Sequence, residues 1–439
     1  MARPAYVHDR PRAHLRTSDA EVAILAATER LLARMPLAEV SVATIMAEAD
    51  IARGTFYHYF ASKYSVLTAL MERVRDELFT SFSDDLDQAG AGDPGAALHA
   101  GLQPVIELWA AHRAVLRAVS DHWRSVPDLR DIWLSMFTRF ADAVAGRLDQ
   151  QRAAGLAPAG PDSRTLTTAL VYGSERCLYV AGLGIDPDFP DEAAMAPYVI
   201  RMWHGGLYGS RRAAGTGRAQ STGPAPDDPI DADRPSETDT GNESAILRVT
   251  EQLLDTTSLA DLSVRQIYDE ARIGRTTFYR HFSSKNDVVA TLVQSALERA
   301  YLAFTGPPSP VRSALADSLE QRLTAMGAVW GRHRAVLRAA MEGWQQLPEL
   351  AEVWLGIINR YGETVASEID AEIDAEIDAE INQALPDELD LPTLRLAKAL
   401  AWMTESCMYV AGLGLEACFP DEPAAARAAA SVSIGAIYG

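Results

Sequence analysis

Ile51-Ala-Arg-Gly-Thr-Phe-Tyr-His-Tyr-Phe-Ala-Ser-Lys63 is written again 222 positions later, as Ile273-Gly-Arg-Thr-Thr-Phe-Tyr-Arg-His-Phe-Ser-Ser-Lys285. The agreement begins upstream, at Ala23-Ile-Leu and Ala245-Ile-Leu, and returns at Trp109 and Trp330, then at Cys177 and Cys407. Solenoid periods run to roughly 20–50 residues, so a repeat this long is a whole domain copied. The duplicated unit therefore carries the function.

Within the first copy, apolar residues recur at helical spacing (Ile24, Leu25, Ala27, Leu31, Leu32), and the second copy answers with Ile246, Leu247, Leu253 and Leu254. Ser41 stands before the apolar-periodic Val42-Ala-Thr-Ile-Met-Ala-Glu, an N-cap signal. A break follows near Asp50-Ile51, and then a short helix over about 53–59. Phe56 and Phe60, four apart, share its buried face, while Arg53, Gly54, Thr55, Tyr57 and His58 occupy the other. Ser62 caps the next helix and puts Lys63 in its first turn. Two short helices with a polar free face on the second make a helix–turn–helix.

That free face suits a DNA groove. Arg53 reaches base edges or phosphate, Thr55 a thymine methyl or a phosphate, and Tyr57 donates to phosphate, with Lys63 and the helix N-termini as backbone contacts. Ser41 and Thr44 at the start of the preceding helix join the candidate set, with Gly54 and His58. The second copy repeats it as Ser263, Gln266, Arg275, Thr276, Thr277, Tyr279, Arg280 and Lys285. Arg280 can grip guanine bidentately where His58 cannot, so an imperfect palindrome is expected.

The chain has 439 residues and net charge −20, which at first argues against a nucleic-acid partner. The excess acid is not spread evenly. Residues 1–64 carry 8 Lys/Arg against 7 Asp/Glu and residues 244–285 carry 6 against 5, whereas 65–209 (12 against 19) and 286–439 (10 against 22) are acidic. No apolar run approaches a membrane span of roughly 18 residues, and Met1-Ala-Arg-Pro-Ala opens without an apolar signal region. Three cysteines without Cys-x-x-Cys spacing suggest neither a disulfide framework nor zinc. A cytoplasmic protein with no membrane contact is expected. Gly-rich phosphate loops, metal-ligand clusters and nucleophile elbows are missing, so no catalytic residue, metal or cofactor is expected.

The pattern from Ser41-Val through Ile45, Ala49-Asp-Ile-Ala-Arg-Gly-Thr-Phe-Tyr-His-Tyr-Phe and Ser62-Lys63 resembles the TetR family of bacterial transcriptional regulators. The second copy departs where His281 replaces the second tyrosine. Farther along, His112-Arg-Ala-Val-Leu-Arg117, Trp133-Leu, Ser174-Glu-Arg-Cys-Leu-Tyr179 and Leu207-Tyr-Gly209 are similar to the EthR-type branch. So are His333-Arg-Ala-Val-Leu-Arg338, Trp354-Leu, Thr404-Glu-Ser-Cys-Met-Tyr409 and Ile437-Tyr-Gly439.

The resemblance implies an all-α chain of two tandem units, each a helix–turn–helix domain followed by a helical ligand-binding and dimerisation domain. The expected boundaries are 1–64 and 65–209 for the first unit, a linker over 210–242, then 243–286 and 287–439. That linker is rich in Gly, Pro, Ser, Thr and Asp, and has a reach of roughly 30 Å as a flexible coil. The implied pocket walls are Trp109, Trp133, Phe140, Tyr172, Ser174, Tyr179 and Trp203 in the first unit. Their counterparts are Trp330, Trp354, Tyr361, Trp402, Thr404 and Tyr409, with Ser433 where the first copy has Trp203. Two unlike pockets for small apolar ligands follow. The implied dimer face is 165–183 with 192–208 and 393–413 with 422–438, which predicts an intrachain pseudo-dimer, with further pairing of chains possible.

One segment is low-complexity: the Glu-Ile-Asp-Ala repeats from Glu368 to Ile381, expected as a longer acidic surface helix. Glu175 and Glu405, within apolar helices, suit a polar pocket or an interface. The functional expectation is a repressor of a double-stranded DNA operator, released by a small apolar effector. The competing one is an interaction or sensor protein in which a single unit binds DNA.

Overall fold

The computed structural model describes residues 19–88, 94–209, 239–306, 315–343, 348–378 and 391–439. Among these every regular element is a helix. The first copy contains α1 (Asp19–Leu32), α2 (Val42–Ala49), α3 (Arg53–Tyr59), α4 (Lys63–Gln88), α5 (Pro94–Ala111), α6 (Arg113–His122), α7 (Pro127–Ala153), α8 (Ser163–Leu183) and α9 (Glu192–Tyr208). The second repeats the order as α10 (Asp239–Leu254), α11 (Val264–Glu270), α12 (Arg275–His281), α13 (Lys285–Thr305), α14 (Leu315–Arg332), α15 (Arg334–Gly343), α16 (Pro348–Asp378), α17 (Thr393–Leu413) and α18 (Glu422–Tyr438). Most of the expected linker lies outside the described residues, and its last four positions, 239–242, open α10.

The chain divides into two compact units: residues 1–80 with 111–134, and residues 81–110 with 135–439. In the first, Ile24, Leu25 and Leu31 of α1 are buried, as are Leu37, Ile45, Phe56 and Phe60, and Val66, Leu67 and Leu70 of α4. Burying these side chains is the main stabilising term for a domain of three short helices. The break between α2 and α3 is made by Asp50, which adopts the left-handed conformation at φ 52° and ψ 49°. Aspartate tolerates that region better than most residues. In the second unit Arg272 makes the equivalent turn at φ 55°.

The second unit is built around four helices. α8 packs on α17 and α9 on α18, so the last two helices of each copy face each other. At the α9–α18 crossing the backbones touch: a Cβ on Gly205 would lie 2.3 Å from the Gly435 carbonyl oxygen. Only glycine permits that approach.

Polar groups buried in this face are paired across it. Arg176 donates from Nε and Nη2 to the two carboxylate oxygens of Glu405, both contacts at 2.8 Å. Tyr172 donates to Glu416 at 2.8 Å, and at the related position Trp402 Nε1 donates to Asp186 at 3.3 Å. Lys398 pairs with Asp186 and Asp188, and Arg201 Nε donates to the Ala436 carbonyl at 2.7 Å. Cys177 and Cys407 are buried beside the opposing Ala399 and Ala169 carbonyls, and burial pushes both thiols up.

The acidic repeat is only partly a solvated surface. α16 extends through Asp378, and Ile369 is buried. Glu368 pairs with Arg322 at 2.6 Å, and Glu372 accepts from the Tyr438 hydroxyl at 2.6 Å. The first turns of the repeat therefore tie α16 to α14 and α18. Residues 379–390 lie outside the described ones.

Candidate nucleic-acid interface and ligand cavity

Each reading helix is held by its apolar face. Phe56 and Phe60, with ring centroids 6.2 Å apart, are buried under α3, and Phe278 and Phe282 repeat the pair at 6.3 Å under α12. That leaves Arg53, Gly54, Tyr57 and His58 exposed and Thr55 half-buried. On α12, Arg275, Thr276, Tyr279 and Arg280 are exposed and Thr277 half-buried; together these five side chains border an open concavity. The guanidiniums of Arg53 and Arg275 each lie 5.6 Å from the ring centroid of the tyrosine one turn on, Tyr57 and Tyr279. That stacking orients both cations outward along the helix.

Ser41 and Thr44 form a capping box: Thr44 N–H donates to Ser41 Oγ at 3.1 Å, and Ser41 N–H to Thr44 Oγ1 at 2.9 Å. Ser263 and Gln266 close the same box on α11. These four residues set the start of the helix ahead of the reader and remain exposed.

Lys63 and Lys285 need correction as phosphate contacts. Lys63 Nζ donates to the Leu37 and Val40 carbonyls at 2.7 and 2.8 Å. Lys285 Nζ donates to the Leu259, Ala260 and Leu262 carbonyls at 2.7, 3.1 and 2.6 Å. An ammonium has three donors, and Lys285 spends all of them on the loop between α10 and α11. These lysines staple the loop before the reader.

In the second copy an apolar cavity of about 50 Å³ lies among α13, α14, α16, α17 and α18. Trp330, Trp354, Tyr361 and Thr404 line it as expected. Trp402 and Tyr409 do not: Trp402 is buried at the face between the copies, with the Arg176 guanidinium 5.3 Å from its ring, and Tyr409 is buried away from the cavity. Phe304, Met326, Met408, Glu405 and Ser433 complete much of the wall. Glu405 was legible as a carboxylate in an apolar helix, and Ser433 as the partner of Trp203; the aliphatic walls carried no signal separating them from ordinary core. Burial pushes the Glu405 carboxyl upward, and Arg176 pulls part of that back.

The first copy's candidate residues are not gathered in one unit: Trp133 belongs to the first, and Trp109, Phe140, Tyr172, Ser174, Tyr179 and Trp203 to the second. Tyr172 is corrected to the cross-copy face by its bond to Glu416, and Tyr179 lies 5.8 Å from the Arg176 guanidinium. Trp203 is buried, donating from Nε1 to Ser174 Oγ at 2.7 Å, with the Phe140 ring edge-on at 6.0 Å.

Among the described residues no group of His, Cys, Asp or Glu is arranged to hold a metal, and no helix is long and apolar enough to cross a membrane.

Two helix–turn–helix heads, each followed by a larger helical domain, define a DNA-binding transcription regulator. The model for bacterial regulatory proteins of the tetR family matches residues 24–70 and 246–292, and that for the C-terminal domain of the transcriptional regulator EthR matches 98–209 and 319–439. The chain belongs to this family, with both parts present twice. The HTH-type transcriptional regulator EthR of Mycobacterium tuberculosis is 31% identical over 194 residues, 44% of this chain and 89% of that protein. Its Mycolicibacterium smegmatis namesake is 30% identical over 192 residues, 44% of this chain and 88% of that one. The crystal structure of a regulatory protein TetR from Rhodobacter sphaeroides aligns at 23% identity and TM-score 0.35, covering 42% of this chain and 98% of that one.

Proposed function

We propose that this chain is a cytoplasmic repressor whose two copies pair within one molecule, read an imperfect palindrome, and leave the DNA when a small apolar effector binds. The observation that carries it is the paired duplication: two exposed Arg–Tyr reading faces on α3 and α12, in a chain whose last helices bury a shared face. Arg53, Thr55, Tyr57 and His58 contact one half-site, and Arg275, Thr276, Thr277, Tyr279 and Arg280 the other. Ser41, Thr44, Ser263 and Gln266 lie against phosphate at the helix starts.

Intrachain pairing is favoured by the chemistry of the buried face. Arg176 stands where the second copy has Ser406, in the register that aligns Cys177 with Cys407. Two second copies facing each other would bury two Glu405 carboxylates with no arginine for either. An uncompensated buried charge costs several kcal/mol, so the second copy selects the first.

The test is selection of a binding site from random duplex DNA, followed by footprinting and solution mass. The expected complex has one chain over two unlike half-sites. Arg53→Ala and Arg275→Ala should each weaken specific binding by about 1–3 kcal/mol, each relaxing its own half-site. A stable dimer of chains, or loss from only one of the two variants, would refute the reading.

A further inference from the structure

We infer that the chain holds a single effector site, in the second copy, and that the first copy carries its own occupant there, the indole of Trp203. This rests on the reading of the chain as a ligand-responsive regulator and says where, and to what chemistry, it responds.

The two copies run in constant register from Tyr172 and Trp402 to Gly209 and Gly439, so Trp203 and Ser433 are equivalent positions, as are Ser174 and Thr404. Phe140 and Tyr361 correspond through the Trp133–Trp354 register. In the first copy these three side chains meet: the buried indole donates to Ser174 and lies edge-on to Phe140. In the second copy all three equivalents line the cavity. Replacing the indole by a hydroxymethyl group opens the space, and smaller wall residues widen it, Ile358 and Ala401 standing where the first copy has Phe137 and Val171.

The polar groups of that space describe its occupant. Ser433 and Thr404 turn their hydroxyl protons back on the Ala429 and Leu400 carbonyls, at 2.9 and 2.8 Å, leaving oxygens that accept. The Tyr361 hydroxyl is buried without a hydrogen-bond partner among the described residues, an arrangement that costs free energy until an acceptor arrives. Glu405 lines the cavity, but Arg176 already holds both its oxygens, so the site neither gains a cation nor welcomes an anion. The fitting ligand is neutral, compact and apolar, with one oxygen that accepts from Tyr361 and can donate to Thr404. A cavity of about 50 Å³ in the measure by which one water fills roughly 10–15 Å³ corresponds to a molecule of roughly 100–150 Å³. Such an occupant touches the carboxylate that joins the two copies.

Xenon and cyclohexanol are the probes, each introduced into crystals of the full chain, with cyclohexanol affinity measured by calorimetry. Expected is one occupied site per chain, beside Ser433 and Tyr361, with none beside Trp203. Ser433→Trp should abolish it and Trp203→Ser should add a second site. Tyr361→Phe should weaken cyclohexanol several-fold, as for one lost hydrogen bond, while leaving methylcyclohexane unchanged, and cyclohexanecarboxylate should not bind. Two sites or none in the unaltered chain overturn the inference even if the variants fail to fold. Cyclohexanol bound at the single site without any change in operator affinity would instead refute effector-driven release and leave the single site standing.

Discussion

Arg176 and Glu405 show what a single buried pair contributes. Both side chains are almost wholly buried and meet with two short bonds. Removing one partner strands a charge, whereas replacing both with apolar residues restores an ordinary core. Arg176→Met should therefore lower unfolding stability by about 3–5 kcal/mol, and Arg176→Met with Glu405→Met should recover most of it. The pH dependence of the single variant carries a sign. Burial raises the folded Glu405 pKa above its unfolded value, and the loss of Arg176 removes the largest opposing influence. The folded state then binds the proton more tightly, so stability is greatest below the unfolded pKa and falls as pH rises through the folded one. Denaturant titrations at acidic and mildly alkaline pH check this; a variant equally stable at both would contradict it.

At the scale of elements, the reading helix is only as well placed as the loop before it. Lys285 draws three carbonyls of the 259–262 turn together at the N-terminus of α13. Lys285→Met should cost about 1 kcal/mol of stability through the unpaired carbonyls, and should leave the salt dependence of DNA binding unchanged. A slope reduced by about one counterion would return Lys285 to the phosphate contacts. These elements were the most legible part of the chain. Ser41, Asp50 and the Phe56–Phe60 spacing each mark a local event, a cap, a turn and a buried face, which neighbouring residues decide. Lys63 misled because its position in a helix's first turn suits a phosphate as well as a loop carbonyl. Only the fold of the preceding turn distinguishes them.

Over the whole molecule, legibility falls as the decisive contact moves farther along the chain. The tandem all-α plan and the four facing helices could be read from the repeat and the family resemblance. The assignment of Trp402 and Tyr172 could not, because each is oriented by a carboxylate more than two hundred positions away, Asp186 or Glu416. An aromatic in an apolar helix reads alike whether it faces a cavity or another domain. The crossing of α9 and α18 tests how closely the copies are joined. A Cβ at position 435 would lie 2.2 Å from the Gly205 carbonyl oxygen, so Gly435→Val should cost at least about 2 kcal/mol by overpacking. Hydrogen exchange should lose protection in α9 and α18 together, and retained protection would show that the helices slide apart without penalty.

The glycine contact at that crossing also bears on how such a chain can change. Where two identical subunits meet on an axis, every substitution arrives twice and confronts its own copy. Here a side chain added at 205 meets the Gly435 backbone, and one added at 435 meets the Gly205 backbone, each once and against an unaltered partner, and α3 can drift while α12 stays as it is. A fault that would be doubled in a symmetric pair is met once, against an unaltered neighbour. The fused chain can thus change one copy at a time, with the other as a fixed reference.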